Sequence, residues 1–537
     1  MKNIVNIINF VRGIEPRPGR NIDLVEPVRE QLRVMRENGL KGTFLIQYDA
    51  LLDSRFVDVV KENLDIAEVG LWLEIVQPLV EKCGLEWHGR YPWDWYNDVG
   101  FLIGYEPDTR KKIVDEAMIG FKEVFGKYPE AVGSWHVDAV SMKYLDEKYN
   151  VSACCICRDQ VGIDGYTMQG GFFNQAYYPS VNNMFCPANS KQTQINMPVF
   201  RMLGSCPVYE IDCQLYPEIW KLGQPTLEPV SENFGGNEDW CKWFFSENFN
   251  GSGISMQYTQ SGQENSFGWP RMKKGIEIQF RMIKELSDAG KVEVMTLSEA
   301  GKWYKSNFDV TPPAAQTAFS DMRGLDKKTV WYNSRYYRVN LLWEKGIVKI
   351  RDLYVFSDKL KEHYLEKRCE TKACEYRNLP VMDSLLYTNP DADDGIAGIY
   401  FTRNGERIVG NDLRYKEQNN SSVVTLVSDK GTLTVTFAEK TIDISTDIKD
   451  FCLKPSYDKN FVYGIDTDRD SAFGNHNNRS VYLTCISDVK VCNDSLTFTF
   501  SDVKYGLSLS DGAFSEDLSV TACDGKISAE ILTEITD

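Results

Sequence analysis

The feature that most constrains this chain is the alternation of apolar, strand-like runs with amphipathic helices from Asn3 to about Phe308. NIVNIINF reads as a strand, and NIDLVEPVREQLRVMRENG as a helix whose apolar residues recur at helical spacing and whose stop is Gly39. KGTFLIQYDALL, DIAEVGLWLEI and EAVGSWHVDA read as the next three strands, with SRFVDVVKENL, TRKKIVDEAMIGFKEVFGKYP and SMKYLDEKYN as the helices that follow them. VSACCICRD, PVFRMLGSCPVYEID, GSGISMQYTQSG and KVEVMT continue the series, and PRMKKGIEIQFRMIKELSDAG is a long helix between the last two. Strands this uniformly apolar are expected in a parallel sheet covered on both faces. About eight such units over about 300 residues predict an α/β fold, a closed or nearly closed (β/α)7-8 TIM-like barrel spanning residues 1–310.

The pattern changes at the linker containing Pro312-Pro313. Beyond it, TVWYNSRYYRVNLLW, KIRDLYVF, GIAGIYFT, SVVTLVS, GTLTVTFA, SVYLTC and SLTFTFS are short alternating runs separated by NG, DKG and DG turns. An all-β domain, a sandwich of two antiparallel sheets, is therefore predicted over residues 311–537.

Charge excludes some functions. The chain carries 77 acidic and 60 basic residues and a net charge of −17, which argues against nucleic acid as partner. No stretch approaches the ~20 apolar residues that span a bilayer, so no membrane partner is expected. The first residues, MKNIVNIINFVRG, lack a continuous apolar core and a small-residue cleavage site, which predicts a cytoplasmic protein. The 14 cysteines sit mostly in apolar runs and are expected to pack as small hydrophobes. Paired C-x-x-C motifs are absent, and Cys155-x-Cys157 alone is a weak metal signal. G-x-G-x-x-G, G-x-x-x-x-G-K and G-x-S-x-G are absent too.

In a parallel barrel the chemistry sits at the C-terminal ends of the strands. Strand one ends with Arg12, Glu15 and Arg17, strand three with Trp72 and Glu74, and strand four with Trp135, His136 and Asp138. Strand five ends with Arg158, Asp159 and Gln160, and the strand near residue 260 with Gln260, Gln263, Glu264 and Asn265. Carboxylates arriving from different strands suit acid/base attack on a glycosidic bond, in which one donates a proton and the other acts as base or nucleophile. The alternative is a structural network in which Arg12, Arg17 and Arg158 neutralise the same carboxylates. Tyr91, Trp93, Trp95 and Tyr96 in one connecting stretch, and Phe172, Phe173, Tyr177 and Tyr178 in another, offer faces for the apolar side of a sugar ring or pack on the barrel rim.

GTFLIQYDALL, EVGLWLEIVQPLV, VGSWHVDA and VEVMTLSEAGKWY, in this order, resemble the barrel shared by polysaccharide deacetylases and family-57 glycoside hydrolases. The whole chain also resembles glycoside hydrolase/deacetylase proteins of gut-type anaerobic bacteria, a barrel followed by a β domain. The deacetylase branch implies a metal held by an Asp and an H-x-x-x-H pair after strand three. EVGLWLEIVQ has no histidine there, and the chain has only His88, His136, His363 and His476. No metal and no cofactor are therefore expected. The glycosidase branch implies a nucleophile on strand four, where Asp138 stands, and a second acid after a later strand, where Glu264 stands. The resemblance thus implies Asp138 as nucleophile or base and Glu264 as general acid, with the reverse open and Glu74 as the third candidate. Arg12, Glu15, Arg17, Trp72, Trp93, Trp95, Trp135, His136, Arg158, Asp159, Gln160, Gln260 and Gln263 are the expected substrate contacts. The function so implied is metal-independent hydrolysis of a small oligosaccharide or glycoside. The alternatives are a divergent sugar deacetylase and a carbohydrate-binding protein without turnover.

Two acidic loops lie in the β region. Asp466, Asp468 and Asp470 have the spacing of half a calcium loop, but Ser471 replaces the glycine and Asn477 the closing Glu. Asp391, Asp393, Asp394 and Gly395 read as a solvated turn.

Overall fold

The computed structural model describes residues 1–17, 19–159, 170–215, 221–372, 374–388, 396–457, 480–483, 488–500 and 502–535. Gln160, His476 and both acidic loops lie outside the described residues. The first half is organised by β1 (Lys2–Val11), β2 (Gly42–Gln47), β3 (Ala67–Trp72), β4 (Ala131–Gly133) and β5 (Ala153–Cys157). Three short strands follow, β6 (Ala176–Tyr177), β7 (Pro179–Ser180) and β8 (Asn183–Pro187). Then come β9 (Val199–Met202), β10 (Met256–Ser261) and β11 (Glu293–Met295).

The strand order is β10-β1-β2-β3-β4-β5-β9-β6, with β11 also on β1, and every pairing is parallel except β6 with β9. The sheet curls into a nearly closed, barrel-like form. At its seam the side chain of Gln260, in β10, accepts the backbone N–H of Leu203, just past β9, at 2.6 Å. Gly204 allows this approach: its φ is +55°, and a Cβ there would meet the Thr259 hydroxyl at 2.8 Å.

Strands β1, β2 and β5 are buried on both faces, as helices on the outside and side chains on the inside require. The asparagines that interrupt β1 are its ties to neighbours. Asn3 and Asn6 donate to the carbonyls of Lys291 and Met295 at 2.8 Å, and Asn9 accepts the Gln263 N–H at 3.3 Å. The strand expected over PVFRMLGSCPVYEID stops at Met202, because Leu203 takes a positive φ of 80° and the chain turns.

The second half is built from two large antiparallel sheets, one of ten strands and one of eight. The first begins with the meander β12 (Ala314–Ala318), β13 (Lys327–Asn333), β14 (Tyr337–Glu344) and β15 (Ile347–Val355). Apolar residues from both sheets, Ile350 and Leu353 from one and Ile444, Phe498 and Ile527 from the other, line a common cavity of about 70 Å³.

The two halves are joined by buried ion pairs. Asp159 takes Arg201 and Arg338 at 2.7 and 2.5 Å, and Arg338 reaches on to Asp352 at 2.6 Å. Asp212 takes Lys327 and Arg351. Beside them Phe173 stacks flat on Trp331, with ring centroids 3.6 Å apart. Of the described cysteines ten are buried, and no disulfide is present among them. No helix among the described residues is long and apolar enough to cross a membrane.

Candidate active site

Where β1 ends, the chain turns Arg12 inward, and its guanidinium organises the barrel mouth. Nε and Nη2 donate to the two oxygens of Glu74, two residues beyond β3, at 2.9 and 2.7 Å. Nη1 meets Glu264, beyond β10, at 2.9 Å and the Ser266 hydroxyl at 3.2 Å. Arg12 is 2% exposed, Glu74 1% and Glu264 4%. Strands one, three and ten thus deliver one cation and two carboxyl groups to a single buried point.

The two carboxyl groups have unlike surroundings. Glu74 receives four N–H donors: two from Arg12, Nε2 of Gln47 at 3.1 Å and the indole N–H of Trp135 at 2.8 Å. Both of its oxygens thus meet donors alone. Burial pushes the pKa of Glu264 upward, against the pull of Arg12 and of the Ser266 hydroxyl that donates to it, and the negative Glu74 pushes the same way as burial.

Aromatic rings wall this point. Trp72 lies flat on Phe10 at 4.3 Å and edge-on to Trp135 at 5.5 Å. Trp93 lies under Arg12, 4.2 Å from centroid to guanidinium, and under Arg17 at 5.4 Å. Trp95, half-buried, extends the wall 5.7 Å from Trp93. The indole N–H groups of Trp72 and Trp93 are buried and have no hydrogen-bond partner.

Glu15, Arg17 and Arg20 form the rim. Arg17 donates to both oxygens of Glu15, with Nε at 2.6 Å. Burial raises the pKa of Glu15, but the hydrogen bonds and charge of Arg17 outweigh it and bring the group below the ordinary value. Asp49, just past β2, is a member that the sequence did not reveal. Its Oδ1 accepts the N–H groups of Gly13 and Ala50, Oδ2 has no partner, and burial lifts its pKa to about 6. Gln47 and Ser266 are members of the same kind, short polar residues without a motif to mark them.

The other candidates stand apart. Asp138 caps the helix Ala139–Tyr149: Oδ1 accepts the Ser141 N–H at 3.1 Å and Arg110 at 2.9 Å, and Oδ2 the Ser141 hydroxyl at 2.7 Å. Arg110 also donates to the carbonyls of Tyr364 and Lys367. Glu362 accepts the N–H groups of Ala139 and Met184 beside it. His136 stacks on Phe101 at 4.4 Å and meets Asn97, and burial pushes its pKa down to about 3. Arg158 pairs with Glu210, and Asp159 with Arg201 and Arg338. Gln260 belongs to the barrel seam, and Gln263 Oε1 accepts the Glu264 N–H at 2.9 Å. Nothing local in the sequence points to Arg110, Glu210, Arg338 or Glu362, because each meets its partner only through the tertiary fold.

The Arg12 point does not fit a divalent ion. Its two carboxyl groups are already bridged by a guanidinium, and neither His nor Cys stands with them. Among the described residues no group of three or more His, Cys, Asp and Glu has a metal-holding arrangement.

Among solved structures the chain is similar to a provisionally named glycoside hydrolase/deacetylase from Parabacteroides distasonis. The TM-score is 0.49 at 14% identity, over 71% of this chain and 89% of that one. A provisionally named polysaccharide deacetylase from Mycobacterium smegmatis gives 0.36 at 13% identity, over 57% and 91%. An allantoinase gives 0.35 at 10% identity, over 57% and 92%. No protein-family model and no curated protein matches the chain.

Proposed function

We propose that this chain hydrolyses a glycosidic bond at the Arg12 point, with Glu264 as general acid and Glu74 as the carboxylate that works opposite it. The observation that supports this reading is the placing of two glutamates on one guanidinium in surroundings that treat them differently. Such a pair divides the labour of the reaction. Glu264, favoured in its protonated form by burial, gives its proton to the departing glycosidic oxygen. Glu74 then either attacks the anomeric carbon or takes the proton of a water that does, giving retention or inversion respectively. The Trp72 and Trp93 indoles offer faces for the ring, and their open N–H groups offer donors to its hydroxyls. In this reading Asp138 leaves the catalytic pair, because Arg110 and the cap of its own helix engage it. Residues 1–310 carry the site, and residues 311–537 brace the end of strand four.

A second reading, a sugar-binding protein without turnover, draws on the closure of the network, in which Arg12 already satisfies both carboxyl groups. One experiment separates the two. The wild-type protein and Glu264→Gln are incubated with pooled glycosides and acetylated sugars, with and without chelator, and the products are weighed by mass spectrometry. Split glycosides in chelator, lost in Glu264→Gln, support the hydrolase. Acetyl loss that chelator abolishes overturns it in favour of a metal deacetylase. Thermal stabilisation by a sugar without any product supports the binder.

A further inference from the structure

The rim of this site carries cationic capacity that the proposed hydrolysis does not use. Arg12, Arg17, Arg20 and Arg271 gather around Glu264, Glu74, Glu15 and Asp49. When Glu264 carries its proton, one positive charge is left over, in a chain whose net charge is −17. Arg12 is matched by Glu74 and Arg17 by Glu15, which leaves Arg20 and the exposed Arg271 as the rim cations without a close carboxylate of their own among the described residues. Among the described residues the only carboxylate within 4 Å of Arg20 is Glu15, at 3.7 Å, and Arg17 already grips both oxygens of that group. The Arg20 side chain is 38% exposed, so a ligand reaches it. Burial and the neighbouring Arg17 both disfavour its charge, and the opposite charge of an arriving anion offsets them.

The unpartnered groups deeper in the site suit the uncharged part of the same sugar. Trp72 Nε1, Trp93 Nε1 and Gln263 Nε2 are buried donors with nothing to donate to. Gln47 Oε1 and Asp49 Oδ2 are the unpartnered acceptors, suited to sugar hydroxyls. We propose that the sugar taken by this site bears an oxyanion, and that Arg20, beside Arg17, receives it. A carboxylate, a sulfate ester and a phosphate ester share the required chemistry, planar or tripodal oxygens that a guanidinium fork can grip. This inference rests on the reading of the barrel mouth as a sugar site and adds the substrate class to it.

The test is calorimetric binding at low salt of glucuronate, galacturonate, glucose 6-sulfate and glucose 6-phosphate against glucose and galactose. At least one anionic sugar is expected to bind about tenfold or more tightly than its neutral counterpart. That preference shrinks with added salt and is lost in Arg20→Gln, a rim substitution whose folding is checked by its melting temperature. The anionic sugars that bind identify which oxyanion is taken. Equal or weaker binding of every anionic sugar, or a preference untouched in Arg20→Gln, overturns the proposal. Anionic binding without cleavage of any glycoside sinks the hydrolase reading and leaves this one standing. Cleavage of neutral glycosides without anionic preference does the opposite.

Discussion

Arg12 grips Glu74 as a fork, Nε on Oε2 at 2.9 Å and Nη2 on Oε1 at 2.7 Å, and spends its third nitrogen on Glu264. Both partners are buried, so removing the cation leaves two carboxyl groups without compensation. Arg12→Met is expected to lower the unfolding free energy by about 3–5 kcal/mol in chemical denaturation. Adding Glu74→Met should recover part of that loss, because the uncompensated charge disappears with its partner. A double variant as unstable as the sum of the singles would show that the fork is not the interaction at stake.

Glu264→Gln should lower turnover of a true substrate about a hundredfold or more, with a smaller effect on KM. The pH–rate profile adds a second check. A general acid must carry its proton, so activity falls as pH rises through the pKa of Glu264, which burial sets above the ordinary glutamate value. In Glu264→Gln that alkaline limb should vanish. A limb that persists unchanged would assign the acid to another group.

Asp138 should matter for stability and little for rate. Asp138→Ala deletes the cap of the helix Ala139–Tyr149 and strips buried Arg110 of its carboxylate, a loss of about 3 kcal/mol or more. Asp138→Asn keeps the cap and should lose less. Both variants, assayed at a temperature where they are folded, should retain kcat within a few-fold. A hundredfold fall in Asp138→Asn would return Asp138 to the catalytic pair.

Stability should fall as pH rises. Burial lifts Asp49 to about 6, and it pushes Glu362 upward with help from Asp138. Each of these groups holds a proton in the folded chain at a pH where the unfolded chain has released it. The stabilisation is therefore complete below the unfolded value near 4 and is lost on passing through the folded values, over about pH 5 to 8. Denaturation at pH 5.5 and 8 should give the lower stability at pH 8. Glu362→Gln, which cannot ionise, should flatten that dependence. An unchanged slope in the variant would remove Glu362 from the account.

The barrel-like sheet was legible because burial on both faces leaves a long trace: Ile4, Val5, Ile7, Ile8, Phe10 and Val11 are all at 0% exposure in β1. Strand ends were legible too, since Arg12, Glu74 and Glu264 are the polar residues that terminate apolar runs. Which of them meet was not. Asp138 and Glu74 look equivalent on the sequence, each a carboxylate following a strand. They differ because the helix after Asp138 starts at the next residue and claims its oxygens, whereas the chain after Glu74 stays extended and leaves them for Arg12. The roles of Arg110 and Arg338 were invisible for another reason. Part of what each holds, the carbonyls of Tyr364 and Lys367 for one and Asp159 for the other, lies more than a hundred residues away.

The ion pairs that join the halves also govern how this chain can be inherited. Asp159 and Asp212 lie in the first half and their cations, Arg338, Lys327 and Arg351, in the second. A crossover near residue 310 between this chain and a diverged relative would set buried charges opposite partners that had changed independently. The two halves must therefore travel as one heritable unit, and substitutions at these five positions should arise in step.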